Sequence, residues 1–169
     1  MESFGFWKRL KLLIKNLHVV IRNTVRAVIV KNGYVLLLMR KNDLKGCYYS
    51  LPGGGQEYGE TLLEALQREC REEIATSVIV KRIEYIADFF KPKSTPKAYI
   101  QHRLEILFYC QVPKSYIPQS GPKPDKNQVR VEWVALNKLD QIPLAPSFLA
   151  EILKRPMRSS KPTYLGKFG

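Results

Sequence analysis

Between Glu57 and Glu73 the chain carries six glutamates: Glu57, Glu60, Glu64, Glu69, Glu72 and Glu73. The rest is basic, with 28 Lys and Arg against 15 Asp and Glu and a formal net charge of +13 over 169 residues. An acidic island in such a chain repels itself, and a cation, most simply a metal ion, would relieve that repulsion. On a helix advancing about 100° per residue, Glu73 lies about 40° to one side of Glu69 and Glu72 about 60° to the other. The three carboxylates then share an arc of roughly 100° beside an apolar face. Like charges one turn apart destabilise a helix by about 0.2–0.5 kcal/mol per pair. Arg68 and Arg71 offset part of that, and a shared divalent ion would offset more. Mg²⁺ is a hard ion that takes carboxylate oxygens, backbone carbonyls and water. Gly53-Gly54-Gly55, just upstream, can bring a bare carbonyl close to the same ion. A plain solvated acidic face is the alternative that Glu69, Glu72 and Glu73 by themselves leave open.

The elements that must position these groups are legible in part. Thr61 to about Ile74 reads as a helix with Leu63, Leu66, Cys70 and Ile74 on one face. Thr61 is placed to cap it, with Glu64 completing a capping box. Thr24–Val30 and Tyr34–Arg40 are β-rich, and Lys31-Asn32-Gly33 between them is a hairpin signal. Val78–Phe90 and Tyr99–Val112 read as two more strands, broken by Pro92 and Pro96. Val129–Leu136 reads as a short strand and Pro146–Lys154 as a last helix. Lys114–Lys126, with Pro118, Gly121, Pro122 and Pro124, reads as a surface loop. The tail from Arg155 reads as loose and basic.

Residues Phe4 to Ile21 read as a basic amphipathic helix, with Trp7, Leu10, Ile14, Leu17 and Ile21 on one face. Such a helix suits an anionic membrane surface, or packs on its own domain or on a second subunit in a homodimer. Composition narrows the rest. Three cysteines, Cys47, Cys70 and Cys110, fit neither a zinc pattern nor a disulfide framework, which points to a reducing, cytoplasmic setting. No apolar run is long enough to span a bilayer, and the N-terminus lacks a signal-peptide pattern.

Gly54, five residues, Glu60, seven residues, then Arg68-Glu69-Cys70-Arg71-Glu72-Glu73 resembles the Nudix box. Leu51-Pro52-Gly53-Gly54-Gly55 and Gly59-Glu60-Thr61 also resemble the family's usual surroundings of that box. Ala75 stands where the box expects glycine and Thr76 where it expects an aliphatic residue. A glycine there would end the helix in a left-handed turn. Ala75 is expected to end it by another geometry.

The resemblance implies an α/β fold: a Nudix-type α/β/α sandwich with a mixed sheet, and the N-terminal amphipathic helix as an addition. The implied organisation is a helix over residues 1–22, a hydrolase domain over 23–155 and a basic tail over 156–169. The implied activity is Mg²⁺-dependent hydrolysis of a phosphoanhydride bond, Mn²⁺ being an alternative ion. The substrate class is a nucleoside diphosphate derivative of the ADP-ribose, nucleotide-sugar or dinucleotide type. A nucleoside triphosphate, or a non-catalytic binding module for anionic partners, are the other readings.

Carried over onto this chain, the metal ligands would be Glu69, Glu72 and Glu73, with a carbonyl from Gly53 or Gly54. Glu60 would support the loop or reach the metal through water. Arg68 would orient a neighbouring carboxylate, unless it is a plain helix ion pair. The base would be Glu69 or, on the later loop, Asp125. Arg40, Tyr49 and Phe90 are the candidate substrate contacts. Tyr48 could also stack on a base, and Arg26 and Arg103 could hold phosphates. His102 is assigned no catalytic role, and no specific nucleic-acid partner is expected.

Overall fold

The computed structural model describes residues 21–43, 46–91, 101–155 and 163–168. The expected N-terminal helix and most of the Lys91–Lys97 loop lie outside the described residues. Among those described, no helix is long and apolar enough to cross a membrane.

Strand β1 (Arg22–Lys31) turns at Asn32-Gly33 into β2 (Tyr34–Asn42). Both turn residues have positive φ, 52° and 79°. That is the type I′ geometry which asparagine and glycine adopt most readily, and it matches the twist of paired strands. The two strands then part, because their ladder holds only Val30↔Val35 and Lys31↔Tyr34. β3 (Gly46–Ser50) takes over against β2 from Leu38↔Ser50 to Asn42↔Gly46. β6 (Gln128–Ala135) pairs with β2 antiparallel. β1 instead pairs in parallel with β5 (Gln101–Gln111), from Arg22↔Arg103 to Ile29↔Cys110. β5 pairs antiparallel with β4 (Ile79–Lys91).

Helix α1 (Leu62–Ile74) covers one face of this mixed sheet, and a 3₁₀ turn (Leu136–Gln141) with helix α2 (Leu149–Lys154) covers the other. Alternate strand residues therefore feed two cores. Val25, Ala27, Ile29, Leu36 and Leu38 pack with Leu66, Cys70 and Ile74 of α1. Val28, Val35, Leu37 and Leu107 pack with Leu139, Leu149, Ile152 and Leu153. Leu36, Leu37 and Leu38 are consecutive and fully buried, each contributing roughly 1.5–3 kcal/mol of transfer free energy. A strand buried on both faces reads as a continuous apolar run, and β2 does. The α/β/α sandwich expected from the sequence is thus the fold.

Two readings are corrected, and one strand had gone unread. The loose tail contains a strand, β7 (Thr163–Phe168), which pairs in parallel with β4. Phe168 packs against Phe148, their ring centroids 4.3 Å apart. β3 was not legible at all, being five residues in a glycine- and tyrosine-containing stretch. Leu63 lies on the solvent side of α1, which buries Ala65, Leu66, Cys70, Glu73 and Ile74. Leu66, Cys70 and Ile74 of the expected stripe are buried, and Ala65 and Glu73 join them in place of Leu63.

Candidate active site

The glycine loop fills the notch where β1 and β2 part. Val25 N–H donates to the Gly54 carbonyl (2.9 Å), Ala27 N–H to Pro52 (2.8 Å) and Gln56 N–H to Asn23 (3.0 Å). At Gly53, φ is +128°, and a Cβ would lie 2.1 Å from the Val25 carbonyl oxygen. Only glycine permits that approach.

Helix α1 begins as the sequence predicts. The Thr61 hydroxyl accepts from Glu64 N–H (3.2 Å), and the Glu64 carboxylate accepts from Thr61 N–H (2.7 Å). Its end differs from expectation. Ala75 adopts the left-handed conformation of a glycine cap, with φ 55° and ψ 27°. The last carbonyls are taken up by residues 116–128. Tyr116 Oη donates to the Ile74 carbonyl (3.0 Å), Gly121 N–H to Glu73 (3.0 Å), Lys123 N–H to Glu72 (3.2 Å) and Gln128 Nε2 to Glu73 (2.8 Å). The Lys114–Lys126 stretch therefore seals the helix end instead of lying free on the surface.

The carboxylates fall into two groups. Arg68 ties the first together. Its Nε and Nη2 grip Glu60 at 3.1 and 2.7 Å, and Nη2 also donates to the Gly55 carbonyl at 3.0 Å. Its Nη1 meets Glu69 Oε1 at 2.9 Å and Glu72 Oε2 at 3.4 Å. The Glu60 bond above all holds the Arg68 guanidinium above its ordinary value, and Arg68 in turn lowers the Glu60 carboxyl. Glu60 also accepts from Glu57 N–H at 2.7 Å, so it braces the glycine-loop exit.

Glu73 forms the second group. Its side chain is 2% exposed. Oε1 accepts from Arg40 Nη2 at 2.5 Å and Oε2 from Gly53 N–H at 2.7 Å. Burial pushes the Glu73 carboxyl up to about 7, against the pull of Arg40 and the Gly53 N–H. Burial also raises the Glu69 carboxyl, with Arg68 opposing.

Among the described residues, no group of three or more acidic, histidine or cysteine side chains is assembled as a metal cage. The donor set nonetheless fits a hard divalent ion. Glu69 and Glu72 already converge on one cationic nitrogen. A Cβ on Gly54 would lie 2.3 Å from Glu69 Oε1, so its missing side chain is the space that the carboxylate occupies. Of the two candidate carbonyls, that of Gly54 is committed to Val25, whereas that of Gly53 accepts from the Arg26 guanidinium. An ion would replace these guanidinium contacts, and Glu73 would join by releasing one of its two partners.

The substrate candidates are placed elsewhere than expected. Arg40 is inside the protein, and its side chain donates to Ser50 Oγ (2.9 Å), Asp125 (2.5 Å) and Glu73. Burial works against its charge, but Glu73 and Asp125 outweigh that and raise its pKa. It orients Glu73 and does not reach out for phosphate. Asp125, the alternative base, is engaged by Arg40. Tyr49 lies half-buried on β3, beside Glu132 and Arg130 of β6. Phe90 stacks on His102 with ring centroids 4.3 Å apart, and Lys167 Nζ sits 4.9 Å from its ring centre. His102 donates to or accepts from Asp88 at 2.5 Å, outside the carboxylate cluster. Neither Tyr49 nor Phe90 joins that cluster.

Two residues of the site were missed. Ser50 had no signal. Glu105 is 1% exposed and pairs with Arg26 Nε at 3.1 Å. An acid inside Leu104–Cys110 was its only mark.

A mixed sheet between helices, with a glycine loop braced by an Arg-linked set of glutamates, defines an α/β sandwich with a carboxylate cluster beside that loop. The NUDIX domain family model matches residues 20–155, and the chain belongs to that family. An ADP-ribose pyrophosphatase of Methanocaldococcus jannaschii is 38% identical over 89 residues, covering 52% of this chain and 49% of the relative. A nucleoside triphosphatase NudI of an Enterobacter species is 38% identical over 66 residues, covering 37% and 46%. The chain thus spans about half the length of the curated relatives it matches. Among solved structures, a MutT protein of Bacillus halodurans aligns with a TM-score of 0.63 at 22% identity, covering 88% of this chain and 90% of that one. An ADP-ribose pyrophosphatase of Streptococcus suis aligns at 0.60 and 21%, covering 88% and 100%. At these identities the structures share the fold.

Proposed function

We propose that this chain is a divalent-metal-dependent pyrophosphohydrolase that cuts a phosphoanhydride bond in a nucleoside diphosphate derivative. The observation that carries this reading is the convergence of Glu69 and Glu72 on one cationic nitrogen beside the Gly53–Gly55 loop. The likeness to an ADP-ribose pyrophosphatase supports the substrate class. The likeness to nucleoside triphosphatases favours a triphosphate as the second reading.

Glu69, Glu72, Glu73 and the Gly53 carbonyl would hold Mg²⁺, or Mn²⁺ in its place. Bound there, the ion supplies a water of lowered pKa and charge neutralisation at the phosphate. The chain's own residues do the rest. Arg68 keeps its grip on Glu60 and so on the loop exit, and whichever of Arg40 and the Gly53 N–H stays on Glu73 orients that carboxylate. The Glu69 carboxylate, seated in the space that the missing Gly54 side chain leaves, accepts the proton of the attacking water. The water oxygen bonds to phosphorus as the bridging P–O bond breaks. The products are a nucleoside monophosphate and the phosphorylated remainder.

The test is product analysis on a panel of nucleotide sugars, ADP-ribose, dinucleotides and triphosphates with Mg²⁺ or Mn²⁺. Monophosphate release that stops with chelator is expected. Full turnover by Glu73→Gln would remove the metal assignment. No turnover of any substrate by the unaltered protein would favour a binding module.

A further inference from the structure

Helix α1 brings its carboxylates to the glycine loop; a buried acid on β5 bears on the same loop through an arginine. The parallel ladder sets Thr24 beside Glu105. Residues two apart on a strand share a face, so Arg26 lies diagonal to Glu105 on that face. Arg26 Nε donates to Glu105 Oε2 at 3.1 Å, and Arg26 Nη1 donates to the Gly53 carbonyl. Glu105 itself is buried. Among the described residues, its Oε1 is buried with no hydrogen-bond partner. A buried acceptor left unmade is costly, and most are satisfied. This oxygen therefore needs a donor in some state of the protein.

The donor is close at hand. The Nε edge of a guanidinium presents two parallel N–H groups, on Nε and Nη2, which match the two oxygens of a carboxylate. Arg26 and Glu105 make one bond of that fork and lack the other. The guanidinium is held short of the full fork because Nη1 is committed to the Gly53 carbonyl. Arg26 also does part of a metal ion's work here. Burial raises the Glu69 and Glu73 carboxyls, and the Arg26 charge is among those that oppose it. At the carbonyl it sits where a divalent ion would bind.

We propose that Glu105 is a positioning residue that receives Arg26 when a divalent ion claims the Gly53 carbonyl. Nη1 leaves the carbonyl, the guanidinium turns, and Nη2 closes the fork on Glu105 Oε1. The ion gains its carbonyl, and neither the arginine nor the buried carboxylate is left short of a partner. This rests on the metal-dependent hydrolase reading, because an ion at that carbonyl is what displaces Arg26.

The test uses the full chain with ¹⁵N-labelled arginines, the Arg26 signals being those lost in Arg26→Gln. Adding Mg²⁺ should slow the exchange of the Arg26 Nη2 protons with water about tenfold or more, as expected for a newly made charged hydrogen bond. Mn²⁺ affinity, read by electron paramagnetic resonance, should fall about tenfold in Glu105→Asp. That variant keeps the charge but is one methylene too short to hold the fork. A role limited to attracting the ion through space would leave it at the affinity of the unaltered protein. Adding Arg26→Gln to Glu105→Asp removes the competitor for the carbonyl and should restore affinity to within about threefold. Unchanged Nη2 exchange in the Mg²⁺-loaded protein would overturn the exchange of partners, as would unchanged Mn²⁺ affinity in a folded Glu105→Asp protein. If Glu105→Asp did not fold, the proton exchange of the unaltered protein decides alone. Failure of the unaltered protein to bind Mn²⁺ would overturn this proposal and the hydrolase reading together. Ion binding that closes the fork without any hydrolysis would overturn the hydrolase reading and leave the role of Glu105 standing.

Discussion

Replacing Gly54 by alanine separates catalysis from folding. The backbone at Gly54 lies outside the left-handed region, so alanine fits its conformation. The three nearest atoms to the added Cβ would all belong to the Glu69 carboxylate, at 2.3 Å (Oε1), 2.5 Å (Cδ) and 2.7 Å (Oε2). Ordinary contact starts near 3.4 Å, so the carboxylate must retreat by about 1 Å, a misplacement that costs roughly 100-fold in rate. The same move costs the fold little. An off-rotamer side chain is worth about 0.5–1.5 kcal/mol, and the stiffer unfolded chain returns about 0.4–1 kcal/mol. The melting temperature of Gly54→Ala should therefore stay within about 4 °C of the unaltered protein. Gly53→Ala is the contrast. There φ is +128° and the clash, at 2.1 Å, is with the Val25 carbonyl. Backbone must move, at a cost of at least about 2 kcal/mol. Thermal melts beside kcat on the best panel substrate read both effects. Full turnover by Gly54→Ala, or its unfolding, would refute the assignment of that space to Glu69.

Ala75→Gly should stabilise the protein by about 1 kcal/mol, because it relieves a left-handed alanine; a chemical melt checks this. Arg40→Leu strips a buried carboxylate of its partner and should cost about 3 kcal/mol. The Arg40→Leu/Glu73→Leu double variant should lose less than the sum of the single losses, as measured by the same melts. The Tyr164 hydroxyl, then His102, hold the Asp88 carboxyl below the usual range. A carboxyl lowered on folding contributes stability above its unfolded pKa and loses it as pH falls through the folded one. The protection of the β7 amides, taken relative to their intrinsic exchange rates, should therefore fall below about pH 4, and Asp88→Asn should flatten that dependence.

The local signals were faithful where they were local. Asn32-Gly33 forms the turn its residue types favour, and Thr61 with Glu64 forms the capping box their spacing allows. The glycine-to-glutamate spacing matches groups that the fold does bring together, for the glycine loop lies against Glu69 and Glu73. Partners distant in sequence were not legible. Arg40 reads as an exposed cation at a strand end, yet a 33-residue separation closes to put it on Glu73. Nothing in Pro118–Pro124 says that its backbone will cap α1. Ala75 shows tertiary context overriding preference: four bonds from residues 116–128 hold the helix end in a conformation alanine disfavours. Thr163–Phe168 is too short, and interrupted by Gly166, to declare itself a strand.

β7 lies beyond the stretch that matches the family model, yet it completes the sheet. It covers β4 at Tyr85, Ile86, Asp88 and Phe89. A polypeptide ending at Arg155 would retain every glutamate of the cleft and still present a long row of unsatisfied amides and carbonyls flanked by aromatic side chains. Open borders of that kind recruit other chains into intermolecular pairing. With β7 in place the border is a six-residue strand interrupted by Gly166 in place of the thirteen-residue β4, and a short edge is a poorer template for such pairing.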